Sequence, residues 1–212
     1  MPDLSQSLIF AAVFALLCWW LGTGVILWLV RRPAHTFGAS LGFLGVLLVL
    51  GLWGGWVSMQ SQSVVHAYLG FGSVIVMWAW HEMAFLSGRV TGPRRVPLTT
   101  GAVGWQRLQQ SVQVVLHHEL ALLLNFGLLW WMQGDHPNHV ALCTFALLWC
   151  MRVSAKFNLF FGVPQVGLQY LPSHLTYLGS YFKQSRVSKF FYTTVAISSG
   201  AWLWLVWQAQ QG

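Results

Sequence analysis

The chain has 212 residues, of which 56% are hydrophobic and only 7% are charged, and its formal net charge is +7. A soluble domain has about a quarter of its residues charged, so this composition excludes a soluble globular protein and indicates a polytopic membrane protein. We interpret the excess of Lys and Arg as a determinant of orientation and of attraction to anionic lipid head groups, not as nucleic-acid binding.

Six stretches are apolar and long enough to cross a membrane, whose hydrocarbon core of about 30 Å takes roughly 20 helical residues. Each span must be helical, because lipid offers backbone amides no hydrogen-bonding partner. We therefore predict an all-α polytopic membrane protein with a single integral membrane domain over residues 1–212. In chain order, the predicted spans lie near 7–30, 38–58, 64–86, 108–132, 139–163 and 189–208.

Two of the connections carry signals of local structure. Residues 88–104, GRVTGPRRVPLTTGAVG, are punctuated by Gly, Pro and Thr, which predicts ordered turns. Residues 171–183, LPSHLTYLGSYFK, have apolar residues at helical spacing. They predict a short helix that lies on the cytoplasmic surface or packs under the bundle.

The positive charges of the connections all fall on one side of the membrane. Lys and Arg occur in the first, third and fifth connections or at their edges, whereas Asp3 and Asp135 fall on the opposite side. By the positive-inside rule, the basic connections face the cytoplasm and both termini lie on the outer side. The basic residues in or beside these connections are Arg31, Arg32, Arg89, Arg94, Arg95, Arg107, Lys183, Arg186 and Lys189.

Polar residues also occur inside the predicted spans, where ionisable side chains are costly and usually face the bundle interior. VVLHHELALLLNFGLLWW, residues 114–131, carries a His-His-Glu triplet. In a helix that enters the membrane near Leu108, His118 would lie roughly 15 Å deep. The predicted intramembrane cluster consists of His81, Glu82, His117, His118, Glu119, Arg152, Lys156 and Asn158.

The charges within this cluster balance. Arg152 and Lys156 are four residues apart and therefore share a helix face. The simplest arrangement pairs these two cations with Glu82 and Glu119. A buried and balanced cluster of this kind can fix one arrangement of helices.

The histidines allow two further interpretations. His117 and His118 point about 100° apart, so only one of them can face squarely inward. One interpretation is a di-iron-like metal centre, since carboxylates and imidazoles from facing helices build such centres in bundles. Against it, Glu directly follows His instead of the usual Glu-x-x-His, and nearby cations oppose a metal dication.

The other interpretation makes one imidazole an axial ligand of a chlorophyll magnesium or a haem iron. The candidate metal ligands are His81, Glu82, His118 and Glu119.

Five motifs within residues 81–182 resemble one known family. They are HEMAFLSG, TGPRR, LHHEL, LWCMRVSAKFNLFFGVP and LPSHLTYLGSYF. In this order and at this spacing they are similar to the PuhE-type photosynthetic complex assembly proteins of purple phototrophic bacteria. The motif residues of that family fall here on His81, Glu82, Thr91, Gly92, Pro93, Arg94, His118, Glu119, Arg152, Lys156, Asn158, Pro164, Pro172 and His174.

This resemblance implies a multi-pass protein of the bacterial inner (intracytoplasmic) membrane that assists assembly of the photosynthetic reaction centre and light-harvesting complex or modulates bacteriochlorophyll supply. The implied partners are subunits of that complex or pigment-synthesis enzymes, besides membrane lipid. The implied cofactor is bacteriochlorophyll or a precursor, ahead of iron. Arg94, Arg95 and His174 are then candidate contacts for a pigment or another anion, since the planar Arg fork matches carboxylates and phosphates. The rival interpretation is a membrane-bound, metal-dependent oxidoreductase acting on a pigment or isoprenoid intermediate, so the sequence leaves open whether the protein is an enzyme.

Overall fold

The structure is a computed structural model that describes residues 4–211, and helices make up most of it. Within that range it contains seven α-helices and no β-strand, which confirms the predicted all-α fold class. Asp3, predicted for the outer N-terminal segment, lies outside the described residues. The α-helices are α1 (Leu4–Val30), α2 (Phe37–Met59), α3 (Val64–Leu86), α4 (Gly104–Gln113), α5 (Leu116–Gln133), α6 (Val140–Phe161) and α7 (Lys189–Gln211). Shorter 3₁₀ helices cover Ala34–Thr36, Leu168–Tyr170 and Ser173–Tyr181.

The long helices correspond to the predicted membrane spans. Helices α1, α2, α3, α6 and α7 are each long and apolar enough to cross a membrane. The pair formed by α4 and α5 meets the same criterion only when the two helices are taken together, and a bend of 62° separates them. The chain is therefore a multi-pass membrane protein, with five spans within residues 4–211, or six if the bent pair counts as one.

The fourth span is not the continuous helix that the sequence predicted from residue 108. Helix α4 ends at Gln113 and α5 begins at Leu116, so His118 lies in the first turn of α5 and not ten residues inside a helix. The helix from which the depth of His118 was predicted is therefore interrupted. The break has a tertiary cause, because the carbonyl of Thr91 accepts a hydrogen bond from the backbone N–H of His118 at 3.0 Å. This contact satisfies one of the amides that lack a partner at the start of a helix.

The hydrophobic core lies among α2, α3, α5 and α6. Helices α2 and α3 approach closely at glycines, since a Cβ on Gly54 would lie 2.5 Å from Ser73 Oγ. Small residues permit such close packing of helices in a membrane. Helices α1 and α7 pack at the outside and expose most of their apolar side chains, as lipid-facing helices do. The core residues are Met59, Val74, Met77, Trp78, Leu122, Leu129, Ala141, Leu142 and Phe145.

Three connections meet at one end of the bundle, and they consist of residues 31–36, 87–103 and 162–188. We term this the basic end, because these connections carry most of the Lys and Arg residues. Residues 87–103 form turns, as predicted. Arg94 ties this loop to the last connection, because its Nε donates a hydrogen bond to the hydroxyl of Tyr181 at 2.7 Å.

The segment predicted as a short helix over 171–183 is a 3₁₀ helix, Ser173–Tyr181, and it packs under the bundle. Leu175 and Leu178 are buried, and they pack in one cluster with Phe85 and Val114. The basic end is thus closed by a second, smaller apolar core beneath the helix ends.

Candidate functional site

Two ion pairs join three helices near the basic end. Glu82 on α3 pairs with Arg152 on α6. Glu119 on α5 pairs with Lys156, one turn further along α6. The four side chains are 19–27% exposed, so each charge is largely enclosed. The pairing is the one that the charges of the sequence predicted, and it fastens α6 to both neighbouring helices.

Aromatic side chains support both pairs. The indole Nε1 of Trp149 donates a hydrogen bond to Glu119 Oε2 at 3.0 Å. The ring of Phe85 lies under both cations, with its centroid 5.3 Å from the Arg152 guanidinium carbon and 5.9 Å from Lys156 Nζ. Cations within about 6 Å of an aromatic face are attracted to it. These contacts hold the charged ends at fixed positions within an apolar surrounding.

His81 is held by a buried amide. Asn125 Nδ2 lies 2.9 Å from His81 Nε2, and because the amide nitrogen can only donate, Nε2 is the acceptor. His81 is 2% exposed and Asn125 is 5% exposed. This hydrogen bond joins α3 to α5 one level further from the basic end than the ion pairs.

His118 is the most enclosed polar residue of the group. It is 0% exposed, and its ring centroid lies 6.4 Å from that of His81 and 4.8 Å from that of Phe85. Among the described residues, neither ring nitrogen of His118 has a hydrogen-bond partner, and the same holds for His81 Nδ1. Most buried polar side-chain atoms have a partner, so such exceptions require an explanation.

Two residues of the predicted cluster lie apart from it. His117 is exposed, in agreement with the expectation that only one of the adjacent histidines can face inward. Asn158 is directed to α7, where its Nδ2 lies 3.4 Å from Thr194 Oγ1. The structure brings together the remaining six predicted residues: His81, Glu82, His118, Glu119, Arg152 and Lys156.

Three residues of the site were not predicted from the sequence: Asn125, Trp149 and Phe85. Two of them carried a usable signal. Asn125 lies seven residues after His118, and Trp149 lies seven residues before Lys156. Two helical turns separate each of these pairs, so their members share a helix face.

The candidate metal ligands do not converge. Both carboxylates are engaged by cations, Glu82 by Arg152 and Glu119 by Lys156. Within residues 4–211 there is no group of three or more His, Cys, Asp or Glu side chains that could hold a metal ion. The arrangement therefore does not fit a di-iron-like centre, whose metals need several carboxylate and imidazole ligands.

Two cavities border the ion pairs. A lateral cleft of 380 Å³ lies between α1, α3 and α6, with Glu82 and Arg152 in its wall. A basal cavity of 270 Å³ lies toward the 3₁₀ helix, and Arg152 and Lys156 line it. Neither cavity is lined by His81 or His118, whose imidazoles are buried among the helices.

The candidate anion contacts at the basic end differ in their availability. Arg94 is occupied internally, since its Nη2 donates to the Pro97 carbonyl at 2.9 Å in addition to the bond from Nε to Tyr181. His174 Nε2 lies 2.9 Å from the Leu86 carbonyl oxygen and donates to it. Arg95 is exposed. Arg94 and His174 thus secure the basic end, while Arg95 is accessible.

Comparison with known proteins places this architecture in a family. A family model described as "Protein of unknown function (DUF3623)" matches residues 5–212, and so includes the N-terminal spans, where sequence analysis found no motif. The chain is 37% identical over 204 residues to the "Uncharacterized 30.4 kDa protein in puhA 5'region" of Rhodobacter capsulatus, an alignment that covers 91% of this chain and 73% of that protein. No solved structure matches the chain significantly. The extent of the family match and the identity to this relative show that the chain belongs to the DUF3623 family.

Proposed function

We propose that this protein is a non-catalytic component of bacterial photosynthetic membranes that assists assembly of the reaction centre and light-harvesting complex or modulates bacteriochlorophyll supply. Its partners are subunits of that complex or enzymes of pigment synthesis. Its location is the bacterial inner membrane, with the basic end in the cytoplasm and both termini in the periplasm. The charge distribution of the connections supports this orientation.

The relative from Rhodobacter capsulatus supports the photosynthetic role. Its name places it in the puhA 5' region, which agrees with the resemblance of this chain to the PuhE-type photosynthetic complex assembly proteins. Identity of 37% over most of both chains makes a related role for this protein the simplest proposal.

The observation that carries the non-catalytic part of the proposal is the mutual neutralisation of the polar cluster. Both acids are paired with cations, so the charge of each carboxylate is balanced within the cluster. A buried ion pair contributes little net stability, because desolvation offsets the attraction, but it can specify which helices pack together. We therefore assign the two pairs to fixing α3, α5 and α6 in the one arrangement that a partner recognises.

The proposed role is tested in a phototrophic host from which the gene has been deleted. We expect membranes of the deletion strain to lose part of their near-infrared absorption from assembled complexes, and the wild-type gene to restore it. If the role is assembly, complex subunits accumulate without bound pigment; if it is pigment supply, total bacteriochlorophyll falls as well. Unchanged absorption and unchanged pigment content in the deletion strain would contradict both roles.

The oxidoreductase alternative has a direct test in the purified protein. A metal-dependent enzyme would contain stoichiometric iron or manganese, and the metal would be lost in Glu119→Gln. We expect elemental analysis of the wild-type protein to give a metal content well below one atom per chain. A stoichiometric metal that Glu119→Gln removes would replace our proposal with the enzymatic one.

A further inference from the structure

The lateral cleft is an elongated depression on the lipid-facing side of the bundle. Along α3 its wall runs from Ile75 to Leu86, a stretch of twelve residues that spans roughly 16 Å of helix. Its rim residues Trp19, Leu27 and Met151 are 48%, 42% and 50% exposed, so the cleft opens laterally toward the membrane. Its volume of 380 Å³ lies within the range of small-molecule sites, about 300–1,000 Å³.

One wall of this apolar cleft is polar. Glu82 and Arg152 line it, and their side chains are 20% and 19% exposed although they pair with each other. The ion pair uses Glu82 Oε1 and Arg152 Nη1. Among the described residues, neither side chain forms any other hydrogen bond, and Arg152 Nε is buried without a partner. The polar wall of the cleft therefore includes a carboxylate that can accept and a guanidinium that can donate a further hydrogen bond, within a hydrocarbon surrounding.

The charge of this wall selects the kind of head group that can bind. The ion pair is neutral as a unit, so an anionic head would meet the Glu82 carboxylate and a cationic head would meet the Arg152 guanidinium. A hydroxyl group can donate one hydrogen bond and accept another, and so it satisfies both side chains without adding a buried charge. An ether or a ketone can accept from Arg152 but leaves the Glu82 carboxylate without a further donor, which is costly in an apolar site.

We propose that the lateral cleft binds an elongated, uncharged lipophile with a terminal hydroxyl group, such as a long-chain or polyprenyl alcohol. Its hydrocarbon part lies along Ile75, Trp78 and Ala79 of α3 beneath α1. Its hydroxyl donates to Glu82 and accepts from Arg152. This assignment does not depend on the proposed photosynthetic role, because it uses only the shape and polarity of the cleft.

The test uses photoreactive hexadecanol carrying a diazirine on its chain, added to the full-length protein in phosphatidylcholine nanodiscs. After irradiation, labelled peptides are identified by mass spectrometry, with unlabelled hexadecanol, hexadecyl methyl ether and hexadecanoate as competitors. We expect label on the cleft-lining peptides of α1, α3 and α6. We also expect hexadecanol to compete at a concentration about tenfold lower than the methyl ether, because one hydrogen bond to a charged group is lost in the ether.

Two variants locate the bound molecule. Thr23→Phe fills the cleft from α1 and should abolish the labelling there, whereas Ala196→Phe introduces the same side chain at an exposed position of α7 and should leave it unchanged. Labelling that is equally strong on α7 and indifferent to Thr23→Phe would mean that ordinary bilayer lipid fills the cleft. Stronger competition by hexadecanoate than by hexadecanol would overturn the assignment of an uncharged ligand.

Discussion

The carbonyl of Thr91 accepts a hydrogen bond from the backbone N–H of His118 at 3.0 Å, and this contact joins the loop after α3 to the first turn of α5. Thr91 is fully buried. The contact brings the TGPRR and LHHEL motifs into one structural unit, so the conformation of the loop and the position of the His118 ring depend on each other. A change in the loop is therefore expected to reach the polar cluster without touching any of its side chains.

Gly92, beside this contact, leaves no room for a side chain. A Cβ at this position would lie 2.0 Å from the Gln113 carbonyl oxygen, and backbone atoms cannot move aside as a flexible side chain can. We expect Gly92→Ala to lower the free energy of unfolding by about 1–3 kcal/mol, as overpacking does in other proteins. In the control Gly127→Ala, the new Cβ would meet no atom within 4 Å. Thermal unfolding in detergent compares the two variants, and equal midpoints would contradict the close packing at Gly92.

The spans of this protein could be predicted from sequence because the membrane imposes length, helicity and apolar composition on each of them. The break between α4 and α5 depends on a distant segment, the Thr91–Gly92 turn, and hydropathy does not report such a contact. One local signal was nevertheless present. The α4 sequence GWQRLQQSVQ is too polar for a helix surrounded by lipid.

The ion pairs could also be predicted, since two acids and two bases enclosed in one bundle can balance only by pairing. The enclosure of His118 was less accessible to sequence reasoning. Whether the inward-facing ring of a His-His pair meets a cavity or a packed core depends on the neighbouring aromatic residue, here Phe85. The sequence therefore predicted that one of the two histidines faces inward but not that its ring packs against Phe85.

Arg152 is expected to be far more important for stability than an arginine of the connections. Arg152→Leu leaves Glu82 charged and unpaired in a largely enclosed position, and such single removals cost about 3–5 kcal/mol. Arg95 is exposed, so Arg95→Leu should have little effect. Immunoblots of isolated membranes give the steady-state amount of each variant. Similar amounts of the two variants would show that the Glu82 pair does not support the fold.

The second ion pair should behave as a coupled unit. Glu119→Leu alone strands Lys156, whereas Glu119→Leu with Lys156→Met replaces both charges by apolar groups. Such double replacements are often close to neutral, while single ones are strongly destabilising. We expect the double variant to unfold at a higher temperature than Glu119→Leu, with a remaining loss from the unpaired indole N–H of Trp149. A double variant less stable than the single one would exclude a coupled pair.

The proposed orientation predicts the side on which reporter proteins are active. A reporter that functions only in the periplasm should be active when it is fused after Gly212, because both termini are expected on the outer side. A reporter that functions only in the cytoplasm should be active when it is inserted at Arg95. The opposite result at both positions would invert the topology. Agreement with the prediction at only one position would mean that an even number of spans lies between Arg95 and Gly212.

His118 offers the clearest separation of a structural from a functional role. Its imidazole is fully buried, and neither nitrogen has a partner among the described residues, so an apolar residue of similar size should not destabilise the protein. We expect His118→Leu to keep the thermal midpoint of the wild type, while His81→Leu lowers it because the Asn125 amide loses its acceptor.

Complementation of the deletion strain then decides the role of His118. A stable His118→Leu protein that fails to restore near-infrared absorption would mean that the imidazole is retained for function. If His118→Leu unfolds instead, the ring has a hydrogen-bonding role in the fold, and if it complements fully, the residue is dispensable for the proposed role.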